Sequence, residues 1–181
     1  MRLPPAWRDD ESELFLTWRL EGSVPEGSAG RYATAGEAFA ELDRVLNAAE
    51  AGPQWLGNTA IARECVLALK YNEAEMRMFD LVAWVVMPNH LHLLIHTNAP
   101  PAVIARTKDR IAKRANQILR RSGQPFWADR AFERTVKTEA ERRRIISYIE
   151  RDPARAGLVE KPEDWPWSSA ARQQLHVYAS A

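Results

Sequence analysis

His90 and His92 stand one residue apart within Trp84-Val85-Val86-Met87-Pro88-Asn89-His90-Leu91-His92-Leu93-Leu94-Ile95. The β-branched and leucine-rich run predicts a strand, and because side chains alternate along a strand, both rings project from one face. Two nitrogens on a shared face suit a divalent metal and leave room for a third ligand and for substrate oxygens, whereas a closed structural zinc site fills four positions with protein. A strand on a solvated sheet face would present the same pair, so spacing alone leaves metal binding and plain exposure both open. His96 has the same parity but lies about 13 Å beyond His92 along a strand, too far for one coordination sphere. Further on, Tyr148 and Asp152 are four residues apart and would share a helical face, one turn apart. Arg142, Arg143 and Arg144 fall in the first half of that helix, away from the C-terminal end that favours cations, so their clustering points to an external anion.

The elements around these groups follow from local chemistry. Leu14 to Leu20 is short and aromatic and predicts a first strand, with Thr17 and Arg19 on one face and Leu16 and Trp18 on the other. Thr34-Ala35-Gly36-Glu37 has the form of a capping box opening a helix whose core stripe is Phe39, Leu42 and Leu46. A second helix is expected over Thr59 to Tyr71, with Ile61, Cys65, Val66 and Leu69 inward and Trp55 as a packing anchor before it. Phe79 to Val86 predicts a strand that Met87-Pro88-Asn89 turns back on itself, which would put the histidine strand in a central position. Ala102 to Arg121 predicts a basic helix with Ile104, Ile111, Ala115 and Ile118 buried. Phe132 to Val136 predicts the last strand, Thr138-Glu139-Ala140-Glu141 a second capping box, and Pro153 a helix end that leaves Asp152 on a frayed turn.

A chain of 181 residues, 46% hydrophobic, fits one domain with its own core. We expect an arm over residues 1–13, the domain over 14–170 and a tail over 171–181. The single cysteine, Cys65, lies in an apolar-periodic segment and is expected to be a small core residue. With no cleavable signal, no apolar run of membrane-spanning length and no disulfide pair, a cytoplasmic location is expected and a membrane partner is not. The net charge of +1 hides an asymmetry: residues 1–60 carry 5 basic and 10 acidic side chains, residues 101–160 carry 15 and 8. Such a basic half could be a footprint for phosphates or a set of solvated helix faces.

Met87-Pro88-Asn89-His90-Leu91-His92-Leu93-Leu94 resembles the His-hydrophobic-His motif of the single-tyrosine (IS200-like) transposases, especially their REP-associated branch. Tyr148-Ile149-Glu150-Arg151-Asp152-Pro153-Ala154-Arg155-Ala156-Gly157-Leu158-Val159 and Asp164-Trp165-Pro166-Trp167-Ser168-Ser169 resemble two further blocks of that family, in the same order. The resemblance implies an α+β HUH-endonuclease domain, a mainly antiparallel central sheet with helices packed over it in a ferredoxin-like or RRM-like arrangement. It also implies a metal-dependent enzyme that cleaves and rejoins single-stranded, hairpin-forming (REP-like palindromic) DNA through a 5′-phosphotyrosine. Tyr148 would be the nucleophile, and His90, His92 and Asp152 would hold Mg²⁺ or Mn²⁺. Lys108 and Asn116 match the family's equivalent helix. With Arg110, Arg114, Arg142, Arg143 and Arg144 they are expected to contact DNA, a solvated helix face being the alternative for the basic side chains. Trp127 either stacks a base or packs in the core, and a monomer is favoured with a dimer open. The family usually carries asparagine where Asp152 stands; aspartate keeps an oxygen ligand and adds a charge.

Two other functions fit parts of the pattern. A relative that binds DNA hairpins without cutting them would give tight binding and no covalent adduct. A histidine-triad nucleotide hydrolase would need a third histidine at the position of Leu94.

Overall fold

The computed structural model describes residues 12–25, 34–98 and 101–171. The expected arm up to residue 11, the loop over 26–30 and the tail with His176 and Tyr178 lie outside the described residues. Four strands, β1 (Ser12–Arg19), β2 (Asp80–Val86), β3 (His90–Thr97) and β4 (Phe132–Val136), form one sheet in the order β2-β3-β1-β4. Every pairing is antiparallel, and β3 lies between β1 and β2. Four helices cover it: α1 (Ala35–Ala48), α2 (Thr59–Ala74), α3 (Pro101–Ile118) and α4 (Glu139–Arg155). The fold is thus α+β, as expected, and no helix among the described residues is long and apolar enough to cross a membrane.

Alternation divides the sheet chemically. Leu91, Leu93 and Ile95 of β3 join Leu16 and Trp18 of β1 in a core with Ile61, Cys65 and Leu69 of α2 and Ile111 and Ala115 of α3. On the other face Phe15, Ala83, Val85 and Leu94 form a second cluster with Val136 and Ile149, against which Phe39 of α1 and Tyr148 of α4 pack. His90 and His92 have the parity of Leu94 and therefore lie under α1 and α4. Cys65 is fully buried, and burial pushes its thiol far above the usual range, as fits a core residue.

The β2–β3 turn is held from three directions. Met87 N–H donates to the His90 carbonyl at 2.8 Å, Leu56 N–H to Pro88 at 3.0 Å and Leu20 N–H to Asn89 at 2.9 Å. The block at 164–169 covers the β2 edge: Val86 N–H donates to Trp167 O at 2.8 Å, Ser169 N–H to Trp84 O at 2.8 Å and Trp165 Nε1 to Val86 O at 3.0 Å. Unpaired strand edges invite association, and this segment closes one.

Several boundaries differ from expectation for physical reasons. β1 starts at Ser12, so Ser12 and Glu13 belong to a strand and not to the expected arm: Glu13 is buried and pairs with Arg142 Nε at 2.8 Å. Ile118 is 40% exposed rather than buried, because α3 ends there and Leu119 packs on the core in its place. The capping box at Thr34 is complete. At Thr138 the hydroxyl accepts from Glu141 N–H at 3.1 Å, but the Glu141 carboxylate turns to Lys137 N–H at 3.2 Å, so the reciprocal half is displaced by one residue. Pro153 does not end α4. Proline lacks the N–H that would bond Ile149, a defect worth about 3 kcal/mol. Even so the ladder resumes with Ala156 N–H on Asp152 O at 2.9 Å, and Asp152 and Pro153 are themselves buried.

Candidate active site

The register of the sheet sets the first two groups: Thr17 and Val85 flank His92, and Arg19 pairs with His90. His90, His92 and Asp152 are fully buried and Asp43, from α1, nearly so. His92 Nε2 lies 3.1 Å from Asp43 Oδ1 and 3.4 Å from Asp152 Oδ2, which is 3.5 Å from His90 Nε2. One ligand atom from each of the four lies within 4.8 Å of the others.

The supporting groups decide which atoms face inward. Asn89 Nδ2 donates to the Leu46 carbonyl at 2.9 Å, which fixes the amide so that Oδ1 meets His90 Nδ1 at 2.7 Å. That oxygen only accepts, so in neutral His90 the proton is on Nδ1 and the Nε2 lone pair points into the cluster. Thr17 Oγ1 lies 2.8 Å from His92 Nδ1; a hydroxyl can donate or accept, so this contact orients the ring, with Nε2 toward the two carboxylates, and leaves its protonation to them. The outer carboxylate oxygens are capped: Asn47 Nδ2 donates to Asp152 Oδ1 at 2.9 Å and Asp43 Oδ2 at 3.1 Å, and Arg155 pairs with the same two oxygens. His90 Nε2 and Asp152 Oδ2 remain buried without a hydrogen-bond partner. Buried polar atoms left so are rare, and two facing one another across a set of two imidazoles and two carboxylates fit a divalent ion.

Ionisation follows burial and charge. Burial depresses His90 below its usual value, against the pull of Asp152. His92 is also opposed by burial, but Asp152 and Asp43 outweigh it and raise it to about 9. Burial would raise Asp152; the two imidazoles beside it instead hold its carboxyl well below the usual range.

Tyr148 completes the arrangement from one turn before Asp152. Its ring centroid lies 5.6 Å from that of His92, and the Arg155 guanidinium sits 4.0 Å above its ring. The hydroxyl is buried without a hydrogen bond, and burial together with the negative Asp43 pushes it well above the usual phenol value. Arg155 pulls the other way. A phenol so placed is held protonated until positive charge arrives beside it. Outside it opens a trough of about 560 Å³ lined by Arg143, Arg144, Ser147, Tyr148, Arg151 and Arg155.

A model of the family described as "Transposase IS200 like" matches residues 58–152, just over half of the chain. The chain belongs to this family. It is similar to the REP-associated tyrosine transposase of Escherichia coli, 26% identical over 101 residues, which are 53% of this chain and 57% of that protein. It is also similar to a putative REP-associated tyrosine transposase of Haemophilus influenzae, 28% identical over 108 residues, or 52% and 60% of the two chains. The chain thus spans a little over half the length of the curated relatives it matches. A solved REP-associated tyrosine transposase bound to a REP hairpin shares the fold, with a TM-score of 0.57 over 93% of this chain and 82% of that one at 19% identity.

In this IS200-like transposase chain the structure brings together His90, His92, Asp152 and Tyr148, and it puts Arg143 and Arg144 on the trough. The remaining expected DNA contacts lie elsewhere. α3 packs on α2 across the sheet from the cluster; there Arg110 stacks on Tyr71 at 4.5 Å and Arg114 pairs with Glu64 at 3.3 Å. Lys108 is half-buried and donates to Ala128 O at 3.3 Å; burial lowers its pKa. Asn116 is buried, and its amide holds the Gln124 carbonyl at 2.7 Å. Trp127 is a core wedge: it packs against Trp18 and Phe126 and donates to Lys108 O at 3.0 Å. Arg142 is taken up by Glu13.

Sequence reading missed Asp43, Asn47 and Arg155. Asp43 falls on the apolar stripe of α1, four residues after Phe39 and three before Leu46, and an acid at such a position was the available signal. Arg155 is three residues past Asp152 and seven past Tyr148, on the same helical face. Ending the helix at Pro153 hid that relation.

Proposed function

We propose that this chain is a metal-dependent single-strand DNA endonuclease and strand transferase acting on hairpin-forming, REP-like palindromic DNA. The observation that carries the reading is the Tyr148 phenol held against a buried set of two imidazoles and two carboxylates inside one chain. The Tyr148 oxygen forms a bond to phosphorus, the bond from phosphorus to the 3′-oxygen breaks, and that oxygen leaves with a proton as a 3′-hydroxyl. The product is a 5′-phosphotyrosine, which keeps the phosphodiester energy so that a 3′-hydroxyl can reverse the step.

His90, His92, Asp152 and Asp43 would hold Mg²⁺ or Mn²⁺, which supplies Lewis-acid polarisation of the phosphate oxygens. Arg155 lies over the phenol ring and favours its ionised form. Arg143, Arg144 and Arg151 place the strand's phosphates along the trough. Because nucleophile and ligands come from the same chain, a monomer suffices. The acting unit is the single domain over 14–170, extended by Ser12 and Glu13, and DNA as substrate fits a cytoplasmic location. The hairpin class rests on the relative solved with a REP hairpin.

The test is incubation with a labelled hairpin carrying a single-stranded tail, with Mn²⁺ or Mg²⁺, followed by a denaturing gel. A covalent adduct is expected that Tyr148→Phe abolishes and that chelator or His90→Ala removes. Tight binding with no adduct under any of these conditions would mean a hairpin-binding protein that does not cut.

A further inference from the structure

Among the described residues the trough has a neighbour that also reaches Tyr148. This neighbour is a recess of about 250 Å³ that shares Tyr148 and Arg144 with the trough and is otherwise lined by three phenylalanines together with Ile145, Arg134 and Glu141. Its floor is Phe15 of β1. Phe39 of α1 and Phe132 of β4 stand over that floor with centroids 4.6 Å apart, and Tyr148 closes the third side 5.6 Å from Phe39. Phe15 touches all three rings, with centroids 5.2 to 6.2 Å away. A ring cluster serving only as core would be sealed, yet Phe39 and Phe132 are only partly buried and the gap opens to solvent. At its mouth stand Arg144 and the ion pair of Arg134 with Glu141, so donors and an acceptor surround an apolar slot.

Resting on the function proposed above, we propose that this recess receives one nucleobase of the strand, from a nucleotide next to the phosphate that Tyr148 attacks. Three features select a base. Flat aromatic walls stack any base through its π-face. The rim offers both hydrogen-bond donors and an acceptor to base edges. The shared wall of Tyr148 and Arg144 makes the slot continuous with the arginine trough, so a backbone lying in one delivers its neighbouring base to the other. Extruding a base there would also fix the register of the strand over the nucleophile.

The test uses the full chain with Mn²⁺ and a series of hairpins with single-stranded tails, each carrying one 2-aminopurine, a base whose fluorescence falls on stacking. One position should be quenched on binding, and removing the base there should weaken binding about tenfold. In Phe132→Leu both the quenching and the penalty for the missing base should vanish, whereas Phe132→Trp, which keeps a ring, should retain both. DNA joined to Tyr148 with no position quenched, or with quenching equal in wild type and Phe132→Leu, overturns the base slot and leaves the transesterification standing. Absence of both binding and adduct overturns the two together.

Discussion

The two faces of the sheet are made from alternate residues of the same strands, yet they have opposite chemistry. Leu91, Leu93 and Ile95 meet α2 and α3 across a dry core, while His90 and His92 meet Asp43 and Asp152 from α1 and α4 across a polar one. Both are almost completely removed from solvent. Burial therefore does not separate core from site here. What separates them is that Leu91, Leu93 and Ile95 carry no polar side-chain atom at all, whereas the other face gathers His90 Nε2, Asp152 Oδ2 and the Tyr148 hydroxyl, each buried without a partner, at one cluster.

The contrast can be broken most severely at Asp152. Asp152→Ala removes the partner of two imidazoles and of Arg155. Breaking a buried charge set costs about 3–5 kcal/mol, measurable by urea unfolding of the metal-free protein. Calorimetric titration of that variant with Mn²⁺ should show no resolvable binding. Leu93→Ala, on the apolar face, should cost about 2–5 kcal/mol through the cavity it leaves. Its Mn²⁺ affinity should nevertheless stay within about twofold of wild type, since the Leu93 side chain projects to the opposite face of β3 from His92. A large change in affinity would mean that the faces are not independent.

A gentler probe acts on the support of one ligand. Thr17→Val deletes the hydroxyl beside His92 Nδ1 and should weaken Mn²⁺ binding about 10-fold or more at an unfolding cost of about 1 kcal/mol. Solution pH titrates the same set. Because His92 is raised to about 9, an ion must displace its proton, so Mn²⁺ affinity should climb with pH up to about 9. Without metal, the stabilisation from His92 is complete below its unfolded value of 6.5 and disappears as pH rises from there to about 9. His90 is depressed, so it opposes folding as pH falls below 6.5. The melting temperature of the metal-free protein should accordingly peak near pH 6.5 and fall on both sides; a curve still rising to pH 9 would contradict the assigned charges. The smallest effect is expected at Arg114, an exposed pair with Glu64 across the sheet. Arg114→Ala should change stability by less than about 1 kcal/mol. Adduct yield on a gel should be the same as wild type, whereas Arg151→Ala should lower it and reduce the salt dependence of binding.

How much of this could be seen beforehand depended on how local the controlling physics is. Strand alternation at His90 and His92, the helical spacing of Tyr148 and Asp152, and the Thr34 capping box are relations between near neighbours, and the residues alone determined them. The central place of the histidine strand followed from a hairpin whose turn is proline-restricted. Asp43 joined the cluster only because Asn89 holds the Leu46 carbonyl and so docks α1 over β3, a contact between residues 43 positions apart. Arg155 reached Tyr148 only because packing carried α4 through Pro153. The basic character of residues 101–160 was plain in the sequence, but its division was not: α3 and α4 ended on opposite faces of the sheet, and only the arginines of α4 reached the nucleophile. Local rules decide which side chains share a face, while the packing of distant elements decides what each face meets.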